Sequence, residues 1–303
     1  MIKEIVEWIL SSLFASDRIL SRKGSRRLIL AYHNIVPNGS PRFGDASLHL
    51  SFDEFCRQLD VLSANFDLVP LSLPFVKTSA GFGRGQIAIT FDDAYTGALE
   101  VGVPELVRRG IPATIFVAPA LLDGAQFWWD CLADVATGEL DASFREMALG
   151  ELRGAGEIIV EAARSRSMAA QNMPQSHRGA ELGLLDRVMS LSGMSVGAHS
   201  WSHMNLEFAA GAELHAELQA TRDWLKNRYP SRYIPALAYP YGRFGLSTDS
   251  EAHAAGYALT LRVEGGWISA PSDHGQLSLP RLNVPAGLSV RGFRLRLASW
   301  WPS

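Results

Sequence analysis

Short apolar runs alternate along this chain with longer segments whose apolar residues recur at helical spacing. Turn residues bound most of these runs, so we predict that they are buried strands and that the longer segments are helices covering them. The predicted strands are residues 28–33, 86–91, 112–118, 194–198, 236–239, 257–262 and 277–284. The predicted helices are residues 51–64, 96–109, 179–190, 211–228, 249–255 and 289–300. So many alternating units predict an α/β protein, with a parallel sheet or barrel covered by helices.

Residues 121–178 do not follow this alternation. They contain the aromatic segment 127–130 (FWWD), several weak helical patterns and a polar stretch at residues 171–178. The segment is longer than most connections between strands and helices in α/β proteins. We therefore predict an inserted segment here, and one interpretation is a lid over a site.

The first 27 residues are predicted to form an amphipathic helix followed by a basic linker. Apolar residues recur at helical spacing over residues 2–14, but Glu4 and Glu7 interrupt them, and basic residues follow at 22–27. This pattern lacks the unbroken apolar region of a secretory signal and the ~20 apolar residues of a membrane span. We expect a cytoplasmic chain whose N-terminal helix packs on its own domain. The alternative is that residues 1–20 contact the inner face of the membrane.

Composition narrows the range of partners. The 303 residues carry 28 Lys and Arg against 31 Asp and Glu, which gives a formal charge of −3. A chain so close to neutral has no strong field to attract nucleic acid, so we expect no nucleic-acid partner. The two cysteines, Cys56 and Cys131, do not make a disulfide framework and are predicted to be free thiols. Function must therefore depend on individual residues.

Two carboxylates end the second predicted strand, where the sequence reads TFDD at residues 90–93. Asp92 and Asp93 are costly to place near a core unless a cation or hydrogen-bond donors accompany them. The carboxyl ends of strands are also where α/β folds build active sites. By itself, however, such a pair is more typical of a solvated turn.

Two histidines, His199 and His203, follow another predicted strand. Four residues apart, they fall on one face of a helical turn, so that two imidazoles can bind one ion. Two histidines and a carboxylate are a standard ligand set for a divalent metal that keeps positions open for water. Because both motifs follow apolar strands, we predict a metal site rather than a pair of surface histidines.

Three segments carry a resemblance to a known family. Residues 90–93 (TFDD), 199–203 (HSWSH) and 238–242 (AYPYG) resemble the first three motifs of the polysaccharide deacetylases, the NodB-homology or carbohydrate esterase family 4 group. They occur in the family's order, and the similarity extends over roughly residues 28–284. The resemblance implies a distorted (β/α) barrel with fewer than eight full units, formed by residues 28–303 with the insertion inside it. It also implies hydrolytic removal of acetyl groups, usually from N-acetylated sugars, by water activated at a divalent metal.

The resemblance also assigns roles to residues. Asp93, His199 and His203 would hold the metal, and Asp92 would be the general base. Zinc is the expected metal, although iron, cobalt and nickel also suit this ligand set. Pro240 and Tyr241 would shape the pocket around the acetyl methyl group, with the backbone N–H of Tyr241 contacting the oxyanion.

The chain departs from the family pattern at the partner of the base. Many members have an arginine that pairs with the base two residues before the proline of the third motif, where this chain has Ala238. Another donor must then hold Asp92. Arg281 is the stronger candidate and Arg243 the weaker one, and Arg281 is also a candidate substrate contact.

The second departure concerns the acid. The last predicted strand contains no histidine, although the family's late motif supplies one there. The exopolysaccharide-deacetylase branch has an early Tyr-His segment instead, which Tyr32-His33 resembles, so we predict His33 as the general acid and His274 as the alternative. The remaining histidines are predicted at the surface: His49, His177, His215 and His253.

Tryptophans in the predicted insertion are candidate sugar contacts. Trp128 and Trp129 could stack on pyranose rings, because a sugar offers an apolar C–H face to an aromatic plane. Equally, they could anchor the insertion to the barrel.

We expect a metal-dependent hydrolase that removes N-acetyl groups from an amino sugar in a polysaccharide, oligosaccharide or lipid-linked glycan precursor. One alternative is hydrolysis of another C–N or ester bond on the same fold, as in a deformylase, a cyclic-amide hydrolase or an O-acetyl esterase. The other is a glycan-binding protein without catalytic activity, which the missing motif arginine and late histidine would suggest.

Overall fold

Parallel strands build the main sheet of this protein. The computed structural model describes residues 7, 10, 15–20, 26–72, 84–245, 247–268 and 278–299. The strands are β1 Arg27–Tyr32, β2 Asn34–Val36, β3 His49–Ser51, β4 Asp67–Leu68, β5 Gln86–Phe91, β6 Ala113–Val117, β7 Met194–Ala198, β8 Tyr233–Ala238, β9 Leu259–Arg262, β10 Ser278–Pro280 and β11 Leu282–Asn283. Eight of them follow one another in the main sheet in the order β10-β9-β8-β7-β6-β5-β1-β11, all pairs are parallel, and β4 also pairs with β5. Strands β2 and β3 form a separate parallel pair.

The two ends of the eight-strand path are β10 and β11, which only Arg281 separates in sequence. Two residues that flank a single residue cannot lie more than about 7 Å apart. The edges of the sheet are therefore neighbours, and the sheet curls into a nearly closed (β/α) barrel, as predicted. The predicted strand at 277–284 is in fact two short strands that meet at this seam.

Helices follow most of the barrel strands. Those described are α1 Asp17–Leu20, α2 Phe52–Asn65, α3 Val103–Arg109, α4 Trp128–Cys131, α5 Ala142–Leu149, α6 Gly156–Ser165, α7 Leu182–Ser190, α8 Gly211–Arg228, α9 Thr248–Ala254 and α10 Val290–Leu297. A π-helical turn at Ala98–Gly102 leads into α3. No helix in the described part of the chain is long and apolar enough to cross a membrane.

Local sequence explains where these elements begin and what they bury. Strand β1 is buried along its whole length, as expected of a parallel strand covered on both faces. Helix α2 begins with a capping box, in which Ser51 and Glu54 satisfy each other's backbone N–H groups, and it buries Phe55 and Leu59 against the barrel. The apolar residues that predicted this helix are therefore those that hold it on the sheet.

Between β6 and α7, the chain leaves the strand–helix alternation, as predicted for residues 121–178. This stretch forms α4, α5 and α6. Its aromatic residues Phe127, Trp128 and Trp129 are each no more than 5% exposed, so they pack on the barrel. The predicted N-terminal helix lies mostly outside the described residues.

Candidate active site

Several barrel strands end around one cavity of about 160 Å³. Parallel strands of a barrel all present their carboxyl ends at the same face, so residues that follow different strands meet there. The cavity is lined by the five residues predicted to bind metal or to act in catalysis, namely His33, Asp92, Asp93, His199 and His203, and by Tyr241. The structure thus brings together residues that lie as much as 170 positions apart in sequence (33 to 203).

Asp93, His199 and His203 form a compact buried cluster. One ligand atom from each lies within 4.8 Å of the others. The Asp93 Oδ1 atom is 3.5 Å from His199 Nε2 and 3.0 Å from His203 Nε2, yet it accepts no hydrogen bond from any described residue. A buried carboxylate oxygen without a donor is expensive. A divalent cation between these three groups would satisfy it, so the residues fit a metal site.

The state of His199 also suits a metal ligand. Its Nδ1–H donates to the Ala238 carbonyl oxygen at 2.8 Å, which leaves the lone pair of Nε2 facing Asp93. Burial lowers the pKa values of His199 and His203 to about 4, so both rings are neutral at pH 7. Neutral imidazole is the form that binds metals.

Asp92 points to a different partner. The Arg281 guanidinium donates to both of its carboxylate oxygens, at 2.7 Å each. Burial acts to raise the pKa of Asp92, but the charge and the hydrogen bonds of Arg281 outweigh it, so its pKa lies well below the usual range. Neighbouring carboxylates therefore have different environments, with Asp92 paired and Asp93 left open.

Arg281 is the basic residue that pairs with Asp92, since Ala238 has no side-chain donor. Its side chain is fully buried and lies beside Asp92 rather than lining the cavity, so the structure gives it no contact with the space open to a substrate. Arg243, the weaker candidate, instead pairs with Glu146 at the surface. The predicted role of Arg281 as a substrate contact is thus not supported by its position.

His33 follows β1 directly and is half-buried at the cavity. Tyr32 pairs with Phe91 in the β1–β5 register, and the Asp92 backbone N–H donates to the Tyr32 carbonyl at 2.9 Å. His33 and Asp92 are therefore the next residues along two adjacent strands. His274, the alternative acid, lies outside the described residues.

Unusual backbone conformations cluster at this site. Asp93, Ala94, Ser200, His203 and Tyr241 all have positive φ angles, of 67°, 49°, 56°, 61° and 58°. Left-handed conformations cost of order 1 kcal/mol or more for residues with a Cβ, and persist where the surroundings enforce them. Three of these residues, Asp93, His203 and Tyr241, come from the three motifs and line the cavity, so strained turns position their side chains there.

Tyr241 connects this cavity to the predicted insertion. Its hydroxyl accepts a hydrogen bond of 2.9 Å from the Trp128 indole, and its ring packs edge-on against His203. Pro240, which precedes it, is buried. Trp128 is only 4% exposed, so it both anchors residues 121–178 and forms part of a wall near the site.

Sequence reasoning missed a buried network of hydrogen bonds around Asp130. This carboxylate is fully buried and accepts hydrogen bonds from Tyr95 Oη at 2.7 Å, His49 Nε2 at 3.0 Å and the Asp45 backbone N–H at 2.9 Å. The Trp129 indole in turn donates to Tyr95 Oη at 2.8 Å. The network therefore ties Asp130 and Trp129 of the inserted segment to Asp45, His49 and Tyr95, and both Asp45 and Trp129 line the cavity.

Two histidines predicted at the surface are buried here. His177 is 2% exposed, and the His49 side chain is 5% exposed. Their rings lie 4.2 Å apart, next to Asp130. The prediction failed because both residues lie in polar stretches of sequence, and contacts formed on folding bury them: Phe43 packs on His177, and Tyr95 and Asp130 contact His49. By contrast, His215 on α8 is exposed, as predicted.

This chain is similar in sequence to known proteins. Residues 171–260 match the family model described as polysaccharide deacetylase. The Bacillus subtilis (strain 168) protein YxkH, whose curated name is "Putative polysaccharide deacetylase YxkH", is 22% identical over 279 residues, covering 91% of this chain and 77% of YxkH.

Solved structures share the fold at low identity. The Streptococcus pyogenes deacetylase PplD, in complex with acetate, superposes with a TM-score of 0.58 at 21% identity, covering 88% of this chain and 96% of PplD. IcaB from Ammonifex degensii gives a TM-score of 0.59 at 16% identity, covering 91% and 97%. Residues 171–260 are thus similar to the polysaccharide deacetylase family, and the barrel shares its fold with the solved structures of PplD and IcaB.

Proposed function

We propose that this protein is a metal-dependent hydrolase that removes N-acetyl groups from an amino sugar within a glycan. The observation that carries the proposal is the pairing of two carboxylates with different partners in one cavity. Asp93 faces His199 and His203 and has an oxygen without a donor, whereas Asp92 is held by Arg281. A ligand cluster beside a separate, ionised base is the arrangement that metal-assisted hydrolysis requires.

Asp93, His199 and His203 would hold the divalent ion, for which zinc is the leading candidate. When bound, such an ion lowers the pKa of water and polarises a carbonyl group. The neutral imidazoles and the open carboxylate oxygen support this ligand set. Iron, cobalt and nickel also suit two histidines and a carboxylate.

Asp92 would accept a proton from the water that attacks the acetyl carbonyl. Its two hydrogen bonds to Arg281 keep it ionised at neutral pH and fix the direction of its oxygens. This arrangement lowers its basicity, but it removes the cost of orienting the base during the reaction.

His33 would donate a proton to the nitrogen as the C–N bond breaks, giving acetate and a free amine. Its place beside Asp92, at the end of the adjacent strand, supports this assignment. The backbone N–H of Tyr241 would donate to the developing oxyanion. Tyr241 and the buried Pro240 would surround the acetyl methyl group.

The decisive experiment measures acetate release from N-acetylglucosamine oligomers by the metal-loaded protein. We expect Asp92→Asn to abolish release and His33→Ala to reduce it by about 10²-fold or more. His215→Ala, an exposed change on α8, is the matched control and should behave as wild type. Full activity of His33→Ala would overturn only the acid assignment.

The same assay separates the alternatives. Formate or ammonia released from a panel of amides would indicate a different C–N hydrolase, and acetate released only from O-acetyl glycans would indicate an esterase. If wild type and Asp92→Asn both bind the glycans but neither releases acetate, the enzymatic proposal is contradicted. Adding an acetylated lipid-linked glycan to the panel tests whether the substrate is membrane-borne.

A further inference from the structure

One polar side chain in the catalytic cavity takes no part in the proposed reaction. Asn283 lines that cavity together with His33, and its Oδ1 atom is buried. In the part of the chain that the structure describes, Asp93 and Asn283 are the two residues lining this cavity whose buried side-chain oxygen has no hydrogen-bond donor. A divalent ion would satisfy Asp93. The oxygen of Asn283 needs a different donor, which a ligand can supply.

Strand β11 places Asn283 next to the proposed acid. Asn283 pairs with Ala31 in the parallel register of β11 and β1, and the Val284 backbone N–H donates to the Ala31 carbonyl at 3.0 Å. His33 lies two residues beyond Ala31, and alternate residues of an extended chain face the same side. The side chains of His33 and Asn283 both line the cavity, which agrees with this alternation. The buried acceptor and the proposed acid are therefore neighbours on one wall.

The backbone around Asn283 is anchored, although its side-chain oxygen is not. The Arg296 guanidinium donates to the Asn283 carbonyl at 3.0 Å. Arg281, two residues earlier and on the same face of the chain, is fixed by its two hydrogen bonds to Asp92. The position of the Asn283 side chain is thus set before a ligand binds, which lowers the entropic cost of a hydrogen bond to it.

The proposed reaction brings a suitable donor to this place. His33 gives its proton to the nitrogen of the acetamido group, so that nitrogen lies beside His33 and close to Asn283. The nitrogen also carries a hydrogen of its own, and burying this N–H without an acceptor is costly. An ester has an oxygen at the same place, which has no hydrogen to donate and whose lone pairs repel those of the Asn283 Oδ1 atom. The same acceptor therefore favours an amide and disfavours an ester.

We propose that the Asn283 Oδ1 atom accepts the N–H of the scissile acetamido group, so that this residue selects N-acetyl over O-acetyl substrates. The inference rests on the proposed function and names its substrate class, an amide with a free N–H. The hydrogen bond strengthens as the nitrogen gains the His33 proton and the C–N bond breaks, because a charged donor bonds more strongly than a neutral one. A contact that is stronger in the transition state than in the bound substrate raises kcat.

The test replaces the acceptor by an apolar side chain of similar size. Asn283→Leu should lower kcat/KM for acetate release from N-acetylglucosamine oligomers by about tenfold or more, mainly through kcat, because one hydrogen bond in the transition state is lost. The ratio of this kcat/KM to that for an O-acetylated oligosaccharide of the same length should also fall by about tenfold. Asn227→Leu is the matched control, since it makes the same change at an exposed position on α8.

Urea unfolding separates this role from a structural one. The Asn283 oxygen has no donor among the described residues, so Asn283→Leu removes a buried polar atom that the fold does not satisfy. We expect the urea midpoint to stay the same or to rise. A lower midpoint together with lower activity would mean that Asn283 supports the fold, and the proposal would be overturned.

The substrate comparison also distinguishes this inference from the proposed function. If Asn283→Leu changes the N-acetyl and O-acetyl reactions by the same factor, or changes neither, the selective contact is overturned and the proposed function stands. If wild type turns over no acetylated glycan, the proposed function fails. Calorimetry on the Asp92→Asn background then compares binding of an N-acetyl sugar with that of its O-acetyl analogue. A preference for the N-acetyl sugar that Asn283→Leu abolishes would support the contact, and equal binding would overturn it.

Discussion

Arg281 donates one hydrogen bond to each carboxylate oxygen of Asp92, both of 2.7 Å, and neither side chain is more than 2% exposed. Arg281 is also the single residue between β10 and β11. Its guanidinium lies 5.5 Å from the centre of the Phe116 ring on β6, so it reaches across the interior of the barrel. The residue at the seam of the barrel is thus the one that fixes the proposed base.

Removing this partner should damage stability and activity together. Arg281→Gln leaves Asp92 buried without a counter-charge, which typically costs about 3–5 kcal/mol of unfolding free energy. The double variant Asp92→Asn with Arg281→Gln should recover part of that loss, because no uncompensated charge remains. Urea denaturation measures the unfolding free energy of both variants. Acetate release by Arg281→Gln should fall by about 10²-fold or more.

Arg243→Gln is the control for this pair. Arg243 bonds to Glu146 near the surface, where an ion pair contributes at most about 1 kcal/mol. Its effect on unfolding and on acetate release should therefore be small.

The double variant tests whether Asp92 and Arg281 are coupled. If its loss of unfolding free energy equals the sum of the losses in Asp92→Asn and Arg281→Gln, the two residues are not coupled.

Metal content should depend on the buried cluster. His199→Ala removes one of three proposed ligands, and elemental analysis should find the variant nearly empty under conditions that load wild type. His215→Ala should load normally, because His215 is exposed on α8. Equal metal content in wild type and His199→Ala would contradict the assignment of this cluster.

Sequence alone predicts the strands and helices, whose apolar residues follow a regular spacing, and the polar residues that directly follow a strand. Apolar runs predicted the barrel strands, since a parallel strand covered on both faces must be apolar throughout. The positions of Asp92, His199 and His33 at strand ends then predicted that they meet, because the carboxyl ends of barrel strands share one face. The residue roles themselves, and the division into residues 1–27 and 28–303, stay predictions.

Contacts between distant segments were not predictable in the same way. Arg281 lies 189 positions from Asp92, and no local pattern distinguishes it from Arg243 as the partner of Asp92, because the pairing depends on the seam between β10 and β11. The burial of His49 and His177 depends on their contacts with each other and with Phe43, Tyr95 and Asp130, which no periodic pattern in the sequence predicts. The network around Asp130 has the same origin.

Tyr95→Phe tests that network with a small change. The lost hydroxyl is the partner of both Asp130 and the Trp129 indole, so two buried polar groups lose a hydrogen bond. We expect a loss of about 1–3 kcal/mol in unfolding free energy, measured in urea. Tyr233→Phe makes the same chemical change where the buried hydroxyl has no hydrogen-bond partner among the described residues, so it should be neutral or stabilising. Equal effects of the two variants would contradict a structural role for the network.

His177 should make the fold sensitive to mild acid. Burial, with a smaller contribution from the neighbouring His49, lowers the pKa of His177 from 6.5 to about 4, although Asp130 opposes the shift. Above pH 6.5 the ring is neutral in both the folded and unfolded chains; as the pH falls towards 4, only the unfolded chain binds the proton, so folded stability is lost. This difference in the pKa of His177 between the folded and unfolded chains changes the free energy of unfolding by at most about 3 kcal/mol. Calorimetry from pH 7 to pH 4 should therefore show Tm falling less steeply for His177→Gln than for wild type, and parallel curves would mean that His177 does not titrate differently on folding.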